Sequence, residues 1–280
     1  VSVRIVADSA SDLPEGTAKA LGITIVPLTI EVSGRDWLDG EELPRERFWE
    51  LQAAQASLPR TSAPAAARFE EVFRAALGDG ADGVVCVTLT RKLSATYQAA
   101  ETAARAVGAG VRVVDSGTLT LSEGFVATAG AMAARNGANL DDVERAVRDA
   151  AGRVRTRGTL DTLENLRRGG RIGSAAALLG TLMSFKPMIA IEDGEVKAAG
   201  RQRTRRRAVD ALVEWTRSLG PLERVGVVHA MAPDVAEVVG LVAEAAGVDP
   251  AEVAVSVMGA TIGTHAGPGA LGVSALLSAK

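Results

Sequence analysis

Between Val3 and Asp115 the sequence alternates short β-branched runs with stretches whose apolar residues recur at the helical period, and this alternation constrains the fold more than any single motif. Val3–Ala7, Ile23–Val32, Gly83–Leu89 and Val111–Asp115 read as strands. Gly16–Leu21, Pro44–Ala54, a segment opening at Thr61-Ser62-Ala63-Pro64 and reaching about Leu77, and Ser94–Val107 read as helices. The run Val84-Val85-Cys86-Val87 offers water no polar side chain, so both faces of that strand are expected to be covered. Crossovers of this length bring each strand back parallel to its predecessor, which predicts a parallel sheet with helices on both sides. Helices at about Leu121–Asn136 and Leu140–Arg155 complete a doubly wound, Rossmann-like N-terminal half.

Near Thr156 the pattern changes. Gly158–Leu163 reads as a short strand, and Pro187–Glu192 and Glu195–Ala199 flank Asp193-Gly194, a two-residue turn that joins antiparallel strands. A helix from about Thr204 to Leu219, a strand Arg224–His229, a helix Pro233–Ala246 and a strand Glu252–Val257 follow. A hairpin inside a βα series predicts a mixed sheet, and so an α+β second domain. The expected division is residues 1–155 and 156–280, with the helix from about residue 62 able to pack on the second domain. A chain of 280 residues can bury enough surface to need no disulfide or metal staple.

Composition removes several classes of function. Aromatic residues are only 3%, which argues against stacking platforms for sugars or single-stranded nucleic acid. A net charge of −3 gives no bulk attraction to nucleic acid or to an anionic membrane. The single Cys86 cannot form an internal disulfide, and with only His229 and His265 beside it a zinc site has few ligands. Val1 to Asp8 meets a carboxylate too early for a signal-peptide core. Val253 to Ala279 is uncharged and long enough to span a bilayer, but Gly263-Thr264-His265-Ala266-Gly267-Pro268-Gly269 divides it. The expectation is a cytoplasmic protein, monomeric by default, without metal or cofactor, nucleic-acid partner or membrane span.

No dinucleotide fingerprint, Walker A loop, nucleophile elbow or zinc-protease motif is present. Asp8 closes the first strand, where α/β folds place ligands; it reads as a turn or capping residue, or alternatively as the nucleophile of a phosphotransferase or hydrolase. Ser62 and Ser94 each stand where a helix N-cap belongs. Two helix N-termini converging on one cleft would hold a carboxylate or phosphate, whereas plain capping would need no ligand. His265 lies among glycines that let backbone approach a ligand, or equally in a tight surface turn. Arg201-Gln202-Arg203-Thr204-Arg205-Arg206-Arg207 carries five Arg at a helix start, where the dipole disfavours cations; it reads as a solvated face or as a surface for an anionic partner.

Taken in order, Asp8-Ser9-Ala10-Ser11-Asp12-Leu13-Pro14, Leu38-Asp39-Gly40, Thr61-Ser62 before Pro64, Leu93-Ser94-Ala95-Thr96-Tyr97-Gln98, Arg168-Gly169-Gly170-Arg171-Ile172 and Gly263–Gly269 resemble the DegV family from the first strand to the last helix. The resemblance implies a two-domain protein with a long-chain fatty acid at the domain interface. It implies no catalysis of its own: the protein would present the acyl carboxylate to a separate fatty acid kinase, which makes an acyl phosphate. By the same resemblance Thr61, Ser94 and His265 hold the carboxylate, with Ser62 and Thr264 as weaker carry-overs. Arg171 and Arg203 would serve the kinase and phosphoryl transfer. One position departs from the family pattern: Ala95 stands where a glycine is usual and adds a methyl beside the headgroup.

Overall fold

The computed structural model describes residues 2–54, 57–179 and 185–279. The first half runs β1 (Val3–Asp8), α1 (Glu15–Leu21), β2 (Ile23–Val26), β3 (Thr29–Val32), β4 (Arg35–Leu38), α2 (Arg45–Ala54), β5 (Arg60–Ser62), α3 (Ala66–Gly78), β6 (Gly83–Thr88), α4 (Thr96–Val107), β7 (Val111–Asp115), α5 (Thr120–Arg135) and α6 (Leu140–Arg153). Its principal sheet is wholly parallel in the order β2-β1-β6-β7. Every residue of β6 is buried, as its continuous apolar run requires. Cys86 lies in that strand opposite Val6 and Val113, a small apolar side chain in the core.

The second half runs β8 (Val154–Thr159), α7 (Glu164–Arg168), β9 (Lys186–Glu192), β10 (Glu195–Gln202), α8 (Arg205–Ser218), β11 (Leu222–His229), α9 (Val235–Ala246), β12 (Ala254–Val257), α10 (Ala260–Ala266) and β13 (Leu271–Leu277). The expected mixed sheet is present, in the order β10-β9-β8-β13-β11-β12. Its hairpin turns at Asp193-Gly194, with φ of 51° and 77°, the left-handed pair that a two-residue turn between twisted strands demands.

Four sequence-based expectations need correction. Ile23–Val32 is not one strand: Pro27 lacks an N–H, and Leu28 turns away to take Ser9 Oγ at 3.0 Å with its own N–H. The remainder becomes β3, centre of a small antiparallel sheet β4-β3-β5. Ser62 consequently lies in β5 and caps no helix; α3 starts four residues later behind Ala65, which makes no side-chain cap bond. That helix packs on α4 and β6 of the parallel sheet, not on the second half. Finally, Ile262–Gly272 is not simply a turn: it contains most of α10 and enters β13, a strand at the middle of the mixed sheet.

The two sheets share one helix. α5 is buried along most of its length and touches β1 and β6 on one side and β8, β11 and β13 on the other. Its small residues, Ala127, Gly130 and Ala131, let both layers approach, and one continuous core runs from Val3 to Leu276.

Charge is also buried at this junction. Asp8, at the end of β1, accepts N–H bonds from Ala10 and Leu89, both at 2.9 Å, yet burial still pushes its carboxyl up to about 7. Glu123 of α5 is fully buried, and neither carboxylate oxygen has a donor among the described residues. Burial, with the charge of Asp8 next, holds Glu123 well above the usual carboxylate range, which favours its protonated form in the fold. A raised folded pKa means that the unfolded chain releases this proton first, so the group costs stability as pH rises from about 4.5 towards its folded value. Glu123→Gln keeps a donor and removes the titration. Its stability relative to wild type should rise with pH by up to about 1.4 kcal/mol per unit, as read by denaturant unfolding between pH 5 and 8. A pH-independent difference would show that Glu123 is ionised in the fold.

Candidate functional site

Where the two sheets meet, they leave a cavity of about 190 Å³. Its walls are mainly aliphatic, with Leu89 after β6, Leu119 before α5, Leu160 after β8, Ile189 on β9, Val228 on β11 and Met258 after β12. Among the described residues no Phe, Tyr or Trp lines it. The wall thus draws on both halves, and none of these aliphatic positions announces itself in sequence because each is also an ordinary core residue. An unbranched apolar chain suits such a slot better than a planar ring system.

Polar groups also line the cavity. Thr61 and Ser62 come from β5, Ser94 from the loop before α4, His265 from α10 and Arg171 from the loop after α7. Thr61 Oγ1 lies 3.0 Å from His265 Nε2, a contact between residues 204 positions apart. Burial, then the Arg171 charge, pushes the imidazole down to about 4, so it is neutral at pH 7. Its Nδ1 is buried without a partner among the described residues, and the tautomer sets which way the Nε2–Thr61 Oγ1 bond runs. Ser94 Oγ accepts from Thr96 N at 3.3 Å and pairs with Thr96 Oγ1 at 2.8 Å, which fixes the serine at the cavity wall. The N-cap position itself is Ala95, one residue later than the sequence suggested.

Arg171 belongs to this wall as well as facing outwards. Its Nε donates to Leu93 O at 3.1 Å and its Nη1 to Gly169 O at 2.7 Å, which ties the α7 loop to the segment carrying Ser94. Thr61, Ser62, Arg171 and His265 also line an outer pocket of about 620 Å³ shared with Arg60 and Arg168 and with the carboxylates of Glu31 and Asp36. The polar groups therefore form a partition between an apolar interior and a charged vestibule.

Thr264, expected at the carboxylate, and Arg203, expected to serve a partner, both lie outside the cavity lining. Thr264 is fully buried and absent from the cavity lining; Asn165 Nδ2 donates to its carbonyl at 3.0 Å. Arg203 is exposed in the bend between β10 and α8, outside the cavity lining. The argument that a helix start rich in Arg needs an outside anion is weakened by in-chain partners. Arg205 forms a two-pronged pair with Asp234 at 2.9 Å for each contact, and Arg206 pairs with Asp210 at 3.2 Å and Glu237 at 2.7 Å. Asp8, the alternative nucleophile, has no exposed surface and does not line the cavity. Among the described residues no group of three or more His, Cys, Asp or Glu side chains could hold a metal ion, and no helix is long and apolar enough to cross a membrane.

A parallel and a mixed sheet share one buried helix in a mixed α/β fold, and hydroxyls, an imidazole and a guanidinium line one part of the aliphatic cavity between them. The chain belongs to the DegV family, described as "Uncharacterised protein, DegV family", which matches residues 2–278. A DegV domain-containing protein of Streptomyces coelicolor is 38% identical over 274 residues, covering 97% of each chain. Among solved structures, a DegV family protein from Thermus thermophilus described by its fatty acid binding superposes with a TM-score of 0.91 at 33% identity, over 99% of this chain and 100% of that one. DegV of Bacillus subtilis, described as a fatty acid binding protein, gives a TM-score of 0.85 at 27% identity, over 99% of both chains.

Within the site α10 has little freedom to move. A Cβ on Gly263 would come 2.6 Å from Trp49 and 2.8 Å from Phe48, rings that are themselves packed edge to face. Gly263→Ala should therefore destabilise the protein by about 1–3 kcal/mol, the usual cost of overpacking, and lower the thermal midpoint by several degrees. An unchanged midpoint would mean that α10 can slide away from α2 at no cost.

Proposed function

We propose that this protein binds a long-chain fatty acid in the cavity, with its carboxylate at the Thr61–His265–Ser94 end, and presents that carboxylate to a partner kinase for acyl phosphate formation. The observation that carries the reading is the partition itself: an aliphatic slot that ends in donors and then opens onto a vestibule lined by charges of both signs, Arg171 among them. A carboxylate withdrawn from water must collect several donors or take up a proton, and an acyl chain needs only apolar walls. Thr61, Ser94 and His265 supply donors, Ser62 stands beside them, and Arg171 supplies a positive charge. The extra methyl of Ala95 lies in the cavity lining and narrows the headgroup end. The relatives described as fatty-acid-binding support the lipid half of the reading.

On this reading the protein is a carrier and not an enzyme, and it works in the cytoplasm, where a kinase and ATP are available. Arg203, exposed and away from the cavity, is suited to a partner surface; Arg171, facing both compartments, is suited to the transferring phosphoryl group. The enzyme alternative built on Asp8 loses support because both its oxygens already accept backbone N–H bonds inside the core.

Protein purified under native conditions should yield a long-chain fatty acid on denaturing extraction and mass spectrometry. An extract without any acyl carboxylate, from protein that also takes none up, would sink the proposal. Ser94→Ala and His265→Ala should each weaken retention about tenfold or more, since a hydrogen bond to a charged group contributes roughly 1.5–3 kcal/mol. If both variants lose stability equally with and without lipid, these side chains only cap and pack. In a reconstituted assay with a cognate kinase and ATP, Arg203→Ala should spare retention and slow product formation, while Arg171→Ala should slow it further. Unchanged turnover in both variants would leave presentation without support.

A further inference from the structure

Asp12 and Asp39 belong to motifs that the proposed function leaves without a role. Both are fully buried, and both turn their carboxylates to the N-terminus of α10. Gly259 N–H donates to Asp12 Oδ1 at 2.7 Å, Ala260 N–H to Asp39 Oδ1 at 3.0 Å and Thr261 N–H to Asp39 Oδ2 at 3.1 Å. The hydroxyls of Thr261 and Ser9 complete the shell of Asp39, and Thr120 Oγ1 donates to Asp12 at 2.6 Å. Three successive N–H groups that a helix start cannot satisfy internally are thus met by carboxylates from the first forty residues of the chain. Four residues after Thr261 the same helix delivers His265 to Thr61.

We infer that Asp39, assisted by Asp12, is a positioning residue for the headgroup end of the cavity: it fixes the start of α10 and thereby the reach and burial of the His265 imidazole. The geometry leaves little alternative register. Trp49 Nε1 donates to Met258 O at 3.0 Å, and Arg45 donates to Val257 O at 2.8 Å and Leu13 O at 2.9 Å, so the turn before α10 is held to the same N-terminal segment. A helix of seven residues has no length with which to absorb a shift at its start. Release of the Asp39 bonds would be felt at His265 as a changed distance to Thr61 and new access to water. The functional consequence rests on His265 as a carboxylate ligand; the positional claim does not.

The test uses the full chain in its ligand-free form. Only two histidines are present, so the His265 ring signals can be assigned by comparison with His229→Gln. Asp39→Asn replaces an acceptor oxygen by an amide that faces a backbone N–H, and it should move the His265 titration, followed by NMR, upwards from about 4 towards the ordinary 6.5. It should also weaken binding of a fluorescent probe, cis-parinaric acid, about tenfold. Thr261→Val removes one donor from the same carboxylate and should move both readouts the same way by less; it serves if Asp39→Asn fails to fold. A lowered melting temperature with an unshifted His265 titration in the folded variants would overturn the inference, because Asp39 would then only hold the fold together. If His265→Ala bound the probe as well as wild type, the fatty acid reading would fall, while the titration would still decide whether Asp39 positions the ring.

Discussion

A carboxylate taken out of water must gather donors, and in this protein that requirement organises the loops around the cavity. Asp8 collects the N–H of Leu89, where β6 gives way to the segment bearing Ser94. Asp12 collects Thr120 and Gly259, and Asp39 collects Ala260 and Thr261. Each acid thus ties a loop of one half to the ends of strands or helices elsewhere. The arrangement has a conformational cost: Asp12 and Thr120 stand at φ of 49° and 54°, and for a β-branched residue that conformation costs about 1–3 kcal/mol. The hydroxyl of Thr120 is held there by its bond to Asp12, and the residue forms part of the cavity wall.

Much of the fold was legible because burial leaves a simple trace in sequence. Val84–Val87 of β6 is an unbroken apolar run since helices cover both faces of the strand, and the Asp193-Gly194 turn announces its hairpin by the backbone that only such a pair adopts readily. Other elements hid for equally physical reasons. The break after Val26 is marked locally by Pro27, but the turn of Leu28 onto Ser9 is a long-range contact that local propensity cannot register. β13 follows a glycine-rich stretch and carries small residues, Gly272, Ser274 and Ala275, because neighbours crowd it on both sides.

The candidate site was less legible from the residues alone. Thr61 and His265 meet only through the tertiary structure, and no periodicity links them; only the family resemblance pairs them. It also brought in Thr264, whose buried position behind His265 separates it from the cavity. For Arg205 and Arg206 the sequence hid acidic partners on α9 and within α8, so a run of five cations looked more in need of an outside anion than it is. Nothing in the sequence marks the bonds of Arg171 to Leu93 O and Gly169 O, which set it in the dividing wall.

The place of β13 in the mixed sheet has a consequence for how this protein comes into being. It lies between β8 and β11, and its residues pair with both, so neither of those strands has its full set of partners without it. Yet it is the last strand in chain order, and it contributes Leu271 and Gly272 to the cavity wall. During vectorial synthesis the parallel sheet can assemble early, whereas the mixed sheet stays split into β8-β9-β10 and β11-β12 until residues 271–277 leave the ribosome. Without that strand the wall lacks Leu271 and Gly272, and the compartment between the two sheets stays open.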